Sequence, residues 1–506
     1  MKSEYKTASQ PAKPHRLWRY LKRLVILYLF VYFAYPVASI LDLGYQMSEA
    51  ESLYFASPER GDDQLKEAFL SKTAPSEQIA SEKQGLEPQA SYLIEDENYA
   101  ALKLRLSLIA KAKKSIDFCV YDIVDDESFE SLRNALIQAA DRGVQVRIIA
   151  DGFAAGYHLL KSPWPARLAS HPKIEWYYYN PLSLWPQRYQ QHRMHDKIVL
   201  VDDRYLLISG RNIAMRFLSD QYEGGPPLAR DLDLLCVIPE GPSLSRRSIE
   251  EAKAHFEGLI SESESIPGLK PEFDSDWLSG AMLDVPESIY PLDERLAPCD
   301  AFIFLSNSPE LGMKDGLLFQ DIYDFAARRQ EELEIYSPYL NFSTEMMRAS
   351  EELRERIPSL KFYCNSVAVC DNVVAASDYL IRSEALANLA SEIYENQSPP
   401  SQHMKAFLLG DEFFGIGSFN FDMRSSFINS ESLLLVRGKA AQVELSEHLA
   451  RAASAYVARS EIIDAEDADK ALISTCGVET DLAKMSWQKR LSLYCLWILQ
   501  PIRFLI

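Results

Sequence analysis

The sequence is poor in basic charge relative to acidic charge. Its 506 residues include 53 Lys and Arg against 73 Asp and Glu, which gives a net charge of −20. Because proteins hold nucleic-acid phosphates with a basic surface, this balance argues against a general nucleic-acid binder. The length leaves room for a membrane anchor and two ordinary domains.

The sequence also lacks any organised set of cysteines. Its seven cysteines are dispersed, without a C-x-x-C pair or a Cys/His cluster. Disulfide frameworks and zinc sites need closely spaced ligands, so we predict neither, and no metal or other cofactor is expected. The odd number and scatter indicate buried free thiols, with one disulfide left open if the domain faces an oxidising compartment.

A long uncharged apolar run, Leu24–Leu41, follows a basic N-terminal stretch. Its eighteen residues are about enough to span a hydrocarbon core as a helix. A signal peptide is the alternative, but the run is long for one and Ala34–Ser39 offers a poor cleavage site. We therefore predict a single-pass anchor within residues 1–45, with the basic flank in the cytoplasm and the remainder exported.

Two further segments are predicted to lie outside the catalytic part. Residues 46–90 are polar and lack a sustained apolar period, which is typical of a linker. Residues 466–506 end in the basic, aromatic and apolar stretch Trp487–Ile506. This composition favours a helix at the membrane interface over a membrane-spanning one.

Two segments, Gln191–Phe217 and Gln402–Ser425, share one pattern of polar residues. Each has H-x-K, an asparagine fifteen residues after the lysine, and an arginine four residues further on. The matched pairs are His195 with His403, Lys197 with Lys405, Asn212 with Asn420, and Arg216 with Arg424. A lone His and Lys in a strand usually form a solvated edge, and the repetition argues against that interpretation.

Both copies predict a strand hairpin after the lysine. Apolar runs are split by turn residues; the runs are 198–201, 205–208, 406–409 and 413–416, and the turns are 202–204 and 410–412. A strand places residues two apart on one face, so His and Lys are presented together. That pair suits a negatively charged, oxygen-rich group such as phosphate.

Helical and strand periodicities alternate around each copy. The predicted strands include residues 116–120, 144–148, 333–336 and 360–365, and the predicted helices include 102–112, 129–139, 249–260, 319–328 and 346–354. Strand–helix–strand units of this length predict a parallel α/β sheet. We predict two halves, residues 91–290 and 291–465, that face each other across a pseudo-twofold axis and build one site from both motifs.

A carboxylate-bearing segment follows each asparagine. The first is RDLDLLCVI with Asp231, and the second is NSESLLLV with Glu431 at the matching level. A carboxylate beside a catalytic imidazole can hold its tautomer and stabilise its charged form. The alternative, a solvated carboxylate at a strand end, stays open for each of them.

These segments resemble the paired HKD motifs of the phospholipase D superfamily, and their surroundings look most like bacterial cardiolipin synthases. The similar stretches are NPLSLWPQRYQQHRMHDKIVLVD, SGRNI, HMKAFLLGD, GSFNFDMRS, NSESLLLV, SPY at 337–339 and NSVAVCD at 365–371. The resemblance covers roughly residues 90–506. It implies a duplicated α/β/α sandwich whose two halves share one active site.

The resemblance also implies a membrane phosphatidyltransferase that makes cardiolipin from phosphatidylglycerol and a phosphatidyl donor. Such an enzyme would lie in the bacterial inner membrane, with its catalytic region on the extracytoplasmic side. The implied catalytic residues are His195, Lys197, Asp202, His403, Lys405 and Asp411, and the implied substrate-binding residues are Asn212, Asn420, Arg216 and Arg424.

Two histidines can act as nucleophile and acid because imidazole titrates near 6.5. One would form a covalent phosphohistidine while the other protonates the leaving alcohol and then activates the incoming hydroxyl. Lys197, Lys405 and the two asparagines would hold the phosphoryl oxygens. The resemblance implies His195 as nucleophile and His403 as acid, an order that the residues alone leave open.

Three alternatives are weighed against the transferase. A phospholipase D-type hydrolase would use water as acceptor, an anchored nuclease would use nucleic acid, and a degenerate scaffold would have no activity. Acidic charge counts against the nuclease, and two intact H-x-K pairs count against the scaffold. The aromatic loop PLSLWPQRYQ favours lipid if it forms a lip at the membrane, although its aromatics are equally suited to the core.

One position departs from the family pattern. The motif aspartate five residues after the lysine is Asp202 in the first copy but Gly410 in the second, with Asp411 one place late. This position falls in the predicted hairpin turn. We therefore expect it to be structural, which weakens any catalytic role for a carboxylate there.

Overall fold

A computed structural model describes most of the chain between residues 90 and 459. The described residues are Arg23, Ile40, 42–48, 90–183, 189–222, 227–239, 245–265, 290–452 and 455–459. The predicted anchor, apart from Ile40, and the predicted interfacial tail lie outside these residues. Among the residues described, no helix is both apolar and long enough to cross a bilayer.

The first half alternates strands and helices. Its strands are β1 (Ala90–Glu95), β2 (Ser115–Val120), β3 (Gln145–Asp151), β4 (Ile174–Tyr179), β5 (Ile198–Val201), β6 (Tyr205–Ser209), β7 (Ala229–Arg230), β8 (Asp233–Val237) and β9 (Ser263–Ser265). Its helices are α1 (Asn98–Lys111), α2 (Glu127–Asp141), α3 (Ala154–His158), α4 (Trp164–Ser170), α5 (Met215–Leu218) and α6 (Arg246–Ser261).

The second half repeats this succession. Its strands are β10 (Ala297–Cys299), β11 (Ala301–Ser306), β12 (Leu333–Tyr336), β13 (Leu360–Asn365), β14 (Glu392–Asn396), β15 (Ser401–Gln402), β16 (Ala406–Leu409), β17 (Phe413–Gly417), β18 (Ser432–Arg437) and β19 (Tyr456–Ala458). Its helices are α7 (Leu292–Arg295), α8 (Leu317–Arg329), α9 (Thr344–Arg354), α10 (Val373–Leu389), α11 (Met423–Phe427) and α12 (Lys439–Arg451).

The two main sheets have the same strand order. The first runs β10-β1-β8-β6-β5-β2-β3-β4-β9, and the second runs β11-β18-β17-β16-β12-β13-β14-β19. In each, three neighbouring strands are parallel, β2-β3-β4 and β12-β13-β14, and the hairpin strands join them antiparallel. The predicted duplication is therefore confirmed. Strand β10 belongs to the first sheet, so that sheet extends to Cys299, beyond the predicted boundary at residue 290.

Local chemistry explains where the elements begin and turn. The Asp126 carboxylate accepts from the backbone N–H groups of Ser128 and Phe129 and so caps α2 at its N-terminus. Gly143, with φ of +96°, lets the chain leave the end of that helix. The β5–β6 and β16–β17 hairpins turn through Asp202 and Gly410, with φ of +55° and +57°. Asp and Gly are among the residues that accept this left-handed conformation.

Three apolar cores hold the molecule together. One packs α1 and α2 against the first sheet, and another packs α8 and α9 against the second. The third lies between the halves and draws side chains from both hairpins and from α6 and α12, including Leu206, Phe256, Ile416 and Leu445. Each sheet is thus covered on both faces, as expected for an α/β/α sandwich.

A short helical segment lies at the N-terminal edge of the described chain. Residues 42–48 are helical, and Leu43 and Met47 are buried in the core of the second half. Ile40 packs against the same core. The chain that follows the predicted anchor is therefore attached to the catalytic body at this point.

Candidate active site

The backbone N–H of each motif histidine forms a hydrogen bond with the backbone of the opposite half of the molecule. The N–H of His195 donates to the carbonyl of Ser430 at 2.9 Å, and the N–H of His403 donates to the carbonyl of Arg230 at 2.7 Å. Ser430 and Arg230 stand directly before Glu431 and Asp231 in the sequence. Each histidine therefore enters the site beside the carboxylate of the other half.

The imidazole–carboxylate pairs are exchanged between the halves. His195 Nδ1 lies 2.9 Å from Glu431 Oε1, and His403 Nδ1 lies 2.6 Å from Asp231 Oδ2. Both carboxylates are buried, with exposures of 0% for Glu431 and 1% for Asp231. A carboxylate on Nδ1 fixes the tautomer of the ring and leaves Nε2 for chemistry.

The two motif lysines are buried beside these pairs. Lys197 Nζ donates to the carbonyl of His195 at 2.6 Å, and Lys405 Nζ donates to the carbonyl of His403. Lys405 Nζ also lies 2.8 Å from Nδ1 and 3.1 Å from Nε2 of His403, over the face of that ring. Burial lowers the pKa of each lysine to about 8, against the attraction of the nearby carboxylates. Two ammonium groups in a site shielded from water favour an anionic ligand.

The two carboxylates differ in their proton affinity. Burial raises the pKa of Glu431 to about 8 despite Lys197 and the Ser418 hydroxyl. For Asp231 burial also favours the neutral acid, but Lys405 and His403 outweigh it and lower the pKa. Burial and neighbouring cations lower the pKa of His403 and move that of His195 well below 6.5. At neutral pH the pair at His195 is therefore mainly uncharged, and Asp231 is ionised.

The residues that support the carboxylates also differ. Glu431 accepts from the hydroxyls of Ser418 at 2.5 Å and Ser425 at 2.8 Å. The position matching Ser418 is Gly210, where a Cβ would lie 2.2 Å from Asp231 Oδ1. The side chain of Asp231 is shorter than that of Glu431, so its carboxylate lies against the backbone at the end of β6. Glycine at position 210 leaves the space that this carboxylate occupies.

The motif asparagines each have an amide atom without a partner. Oδ1 of Asn212 and Oδ1 of Asn420 are buried and accept no hydrogen bond. The amide nitrogen of Asn420 lies 3.5 Å from the hydroxyl of Tyr339. An unpartnered Oδ1 can accept a hydrogen bond from a substrate hydroxyl, whereas a phosphoryl oxygen would need the N–H groups of the same amide.

The motif arginines join the two halves. Arg216 forms an ion pair with Asp371 of the second half at 2.7 Å, and Arg424 donates to the carbonyl of Gln191 in the first half at 2.9 Å. These contacts give both arginines an architectural task. Direct binding of substrate by either arginine stays a prediction.

Asp202 and Asp411 lie apart from the cluster. Asp202 accepts from the backbone N–H groups of Lys113 at 2.9 Å, Lys114 at 2.7 Å and Ser115 at 3.0 Å, at the far end of β5 from Lys197. Asp411 is at the surface, 2.9 Å from Lys439. The structure therefore does not bring these two aspartates together with the histidines and lysines, and a catalytic role for either stays a prediction. The backbone contacts of Asp202 are those of a residue that supports the turn.

A buried polar network behind His195 was not predicted from the sequence. Asp196 accepts from Ser430 Oγ at 2.5 Å and contacts His255 Nε2 at 3.1 Å. Asp196 thereby positions Ser430, whose carbonyl accepts a hydrogen bond from the N–H of His195. Strand alternation inside H-x-K already places Asp196 on the opposite face from its neighbours, but His255 lies in a connector without repeat signal. Tyr121 was also missed; its ring stands 4.9 Å from that of His195, edge to face.

A duplicated α/β unit that brings two H-x-K strands and two exchanged carboxylates to one site defines a two-motif enzyme for phosphoryl chemistry. The family described as "Cardiolipin synthase, PLD-like domain" matches residues 106–225 and 325–453, one match in each half. The chain belongs to the phospholipase D superfamily, and within it the chain is most like the cardiolipin synthases.

Individual relatives agree with this placement. The chain is 26% identical over 379 residues to cardiolipin synthase C of Escherichia coli K12, covering 65% of this chain and 78% of that protein. It is 24% identical over 347 residues to cardiolipin synthase B of Salmonella typhimurium LT2, covering 67% and 75%. The crystal structure of phosphatidylserine synthase from Haemophilus influenzae Rd KW20 has the same fold, with a TM-score of 0.55 at 14% identity over 81% of this chain and 95% of that one.

Proposed function

We propose that the protein is a phosphatidyltransferase that makes cardiolipin by joining a phosphatidyl group to the free hydroxyl of phosphatidylglycerol. The observation that carries the proposal is the pair of exchanged contacts, His195 with Glu431 and His403 with Asp231, in one site with two buried lysines. The similarity to proteins named cardiolipin synthase supports the choice of substrate.

In the first step, Nε2 of His195 attacks the phosphorus of the phosphatidyl donor. The bond from phosphorus to the leaving alcohol oxygen breaks, and the imidazolium form of His403 gives its Nε2 proton to that oxygen and becomes neutral. The role of His195 is supported by its low pKa, which keeps the imidazole unprotonated and nucleophilic. The role of His403 requires its imidazolium form, which the ionised carboxylate of Asp231 stabilises against the burial and the Lys405 charge that lower the pKa of this ring.

In the second step, His403 takes the proton from the hydroxyl of phosphatidylglycerol. The hydroxyl oxygen attacks the phosphorus, the phosphohistidine bond breaks, and His195 is restored. Lys197, Lys405 and the amide N–H groups of Asn212 and Asn420 donate to the phosphoryl oxygens through both steps. A bound phosphate would draw Lys405 away from the His403 ring and so free Nε2 for proton transfer.

The test uses purified full-length chain with phosphatidylglycerol labelled in its acyl chains. We expect labelled cardiolipin as product, formed without added metal. His195→Ala and His403→Ala should each lower the rate by about 10³-fold or more, because each removes a step of the chemistry. Lys439→Ala, at the surface, is the control and should retain the full rate.

The products decide between the transferase and its main rival. Labelled phosphatidic acid in place of cardiolipin would mean that water is the acceptor, and the protein would be a phospholipase D-type hydrolase. Substantial cardiolipin formation by either histidine variant would contradict a site built from both motifs.

We further propose that Leu24–Leu41 anchors the enzyme in the bacterial inner membrane, with its catalytic halves on the extracytoplasmic side. The run is uncharged and follows a basic flank, and no convincing cleavage site is present. The N-terminus of the mature protein, measured by mass spectrometry, tests this. A mature chain that begins near Ser39 would instead identify a signal peptide.

A further inference from the structure

Helix α3, which follows β3, is apolar on its exposed face. Phe153, Tyr157 and Leu160 follow one another at helical spacings of four and three residues, and they are 50%, 72% and 76% exposed. The opposite face carries Ala155 and Leu159, which are buried in the core. A short helix that is apolar on both faces is expected to be covered on both, and here one face has no cover within the described part of the chain.

A neighbouring loop extends this surface. Leu182, just after β4, is 53% exposed, and a Cβ on Gly152 would lie 2.4 Å from Cα of Pro181, so the loops after β3 and β4 touch. We call Phe153, Tyr157, Leu160 and Leu182 the apolar rim. These four are half of the eight large apolar side chains that are exposed among the described residues.

The rim stands at the edge of the active site. The Asp151 carboxylate accepts from the N–H of Phe153 at 2.9 Å and from the N–H of Met194, next to His195, at 3.1 Å. At the other end of α3, His158 Nδ1 lies 2.7 Å from a carboxylate oxygen of Asp122. Asp122 follows Tyr121, whose ring contacts that of His195. Both ends of the helix are thus tied to neighbours of the proposed nucleophile.

We propose that the apolar rim inserts into the lipid bilayer and holds the active-site mouth at the depth of the headgroups. The inference rests on the proposed function, because a bilayer phospholipid presents its phosphodiester directly above an apolar layer. Tyrosine beside Phe and Leu is the composition that favours the interface. The loop for which the sequence left a lipid-facing lip and core packing open, residues 181–190, contributes Leu182, and five of its central residues lie outside those described.

The charge of the protein favours an apolar contact over an electrostatic one at the mouth of the active site. With a net charge of −20, general electrostatic attraction does not draw the protein to an anionic bilayer. The rim is followed directly by Lys161, which is exposed and can meet lipid phosphates. Apolar insertion with a flanking cation is the arrangement of interfacial segments.

The first experiment compares two substrates. Full-length protein is assayed on phosphatidylglycerol in proteoliposomes and, in detergent, on monomeric dihexanoyl-phosphatidylglycerol. Tyr157→Glu combined with Leu160→Glu should lower turnover in the bilayer at least tenfold and leave turnover of the monomeric lipid within twofold. Val443→Glu, on α12 and 52% exposed, is the matched control and should keep both rates.

An equal loss on both substrates, or no loss in the bilayer, would overturn the proposal. If the unsubstituted protein turned over neither lipid, the proposed function would fail while insertion could still be measured. That measurement uses Leu160→Cys and Val443→Cys labelled with bimane in proteoliposomes that contain nitroxide-labelled phosphatidylcholine. The unsubstituted chain gives the background from native cysteines.

We expect the lipid nitroxide to quench bimane at residue 160 and not at residue 443. Absence of quenching at 160, with bimane exposed to a water-soluble quencher, would show that the rim stays in water or serves a protein partner. Either result would contradict membrane insertion.

Discussion

At the residue scale, the carboxylates of Asp231 and Glu431 occupy matching positions in the two halves but differ in their pKa values. The pKa of Glu431 is raised to about 8 by burial, so this group is mainly protonated at pH 7, whereas that of Asp231 is lowered by Lys405 and His403. A glutamine imitates a protonated glutamate, but an asparagine does not imitate an ionised aspartate. The two conservative amide variants should therefore behave differently.

We predict that Glu431→Gln lowers kcat by less than about tenfold and that Asp231→Asn lowers it by about 10²- to 10³-fold. The kcat values at pH 7 from the cardiolipin assay check this, with circular dichroism as the control for folding. Equal losses would contradict the assignment of different protonation states to the two pairs.

Asp202 gives a second prediction at the residue scale. Its carboxylate accepts from three backbone N–H groups, whereas the Asp203 carboxylate, in the same hairpin turn at φ of +52°, forms an ion pair with the exposed Lys253. Asp202→Gly should lower the free energy of unfolding by about 1–2 kcal/mol more than Asp203→Gly, because glycine relieves the same positive φ in both. Urea denaturation measures the difference.

Turnover by the folded Asp202→Gly variant should stay within twofold of the unsubstituted enzyme. A folded variant without activity would restore a catalytic role to this aspartate. The second copy already carries Gly410 at the matching position, where Glu331 fills the space that a side chain would need.

At the scale of elements, the sequence predicted most accurately the strands and turns that depend on neighbouring residues. Both hairpins appear at the predicted residues, and the predicted strand at 333–336 coincides with β12. These elements follow from short apolar runs, turn residues and caps, which act over a few positions. Helix α10 was not predicted, because its 17 residues lack a clear alternation of polar and apolar faces.

The exchange of carboxylates could not be read from the sequence in the same way. The pattern placed Asp231 and Glu431 at matching levels and predicted one shared site. Which carboxylate serves which histidine depends on how two folded halves dock, and the contacts concerned join residues 172 and 236 positions apart. Chain periodicity carries no information over such separations.

At the scale of the whole molecule, a charged cluster at one cavity ties the two halves together. His448 of α12 lies 3.0 Å from Asp96 of the first half and 3.8 Å from Glu444, and Arg451 lies 2.9 Å from Asp96. Hydrogen bonds to the two carboxylates raise the pKa of His448 to about 9 despite its burial. His448 and Arg451 in turn lower the pKa of Asp96 to about 2, although burial acts in the opposite direction.

Because the folded-state pKa of His448 lies above its unfolded value near 6.5, its stabilisation is complete below pH 6.5 and is lost as pH rises to 9. We predict that the free energy of unfolding falls by about 1–2 kcal/mol between pH 6.5 and pH 9, and that the His448→Gln variant does not show this fall. Urea titrations in detergent at pH 6.5 and 9 provide the measurement. If the His448→Gln variant still showed the full decline in the free energy of unfolding, other titratable groups would be responsible for it.

The exchanged pairs also have a consequence for the time during which the protein is made. Glu431 follows His195 by 236 residues, so at 5–20 residues per second a ribosome needs on the order of ten to fifty seconds to supply it. Throughout that interval a newly folded first half carries its histidine and lysine without the carboxylate that orients them. The proposed phosphatidyl transfer needs both halves, so it can begin only when the last motif has emerged and docked.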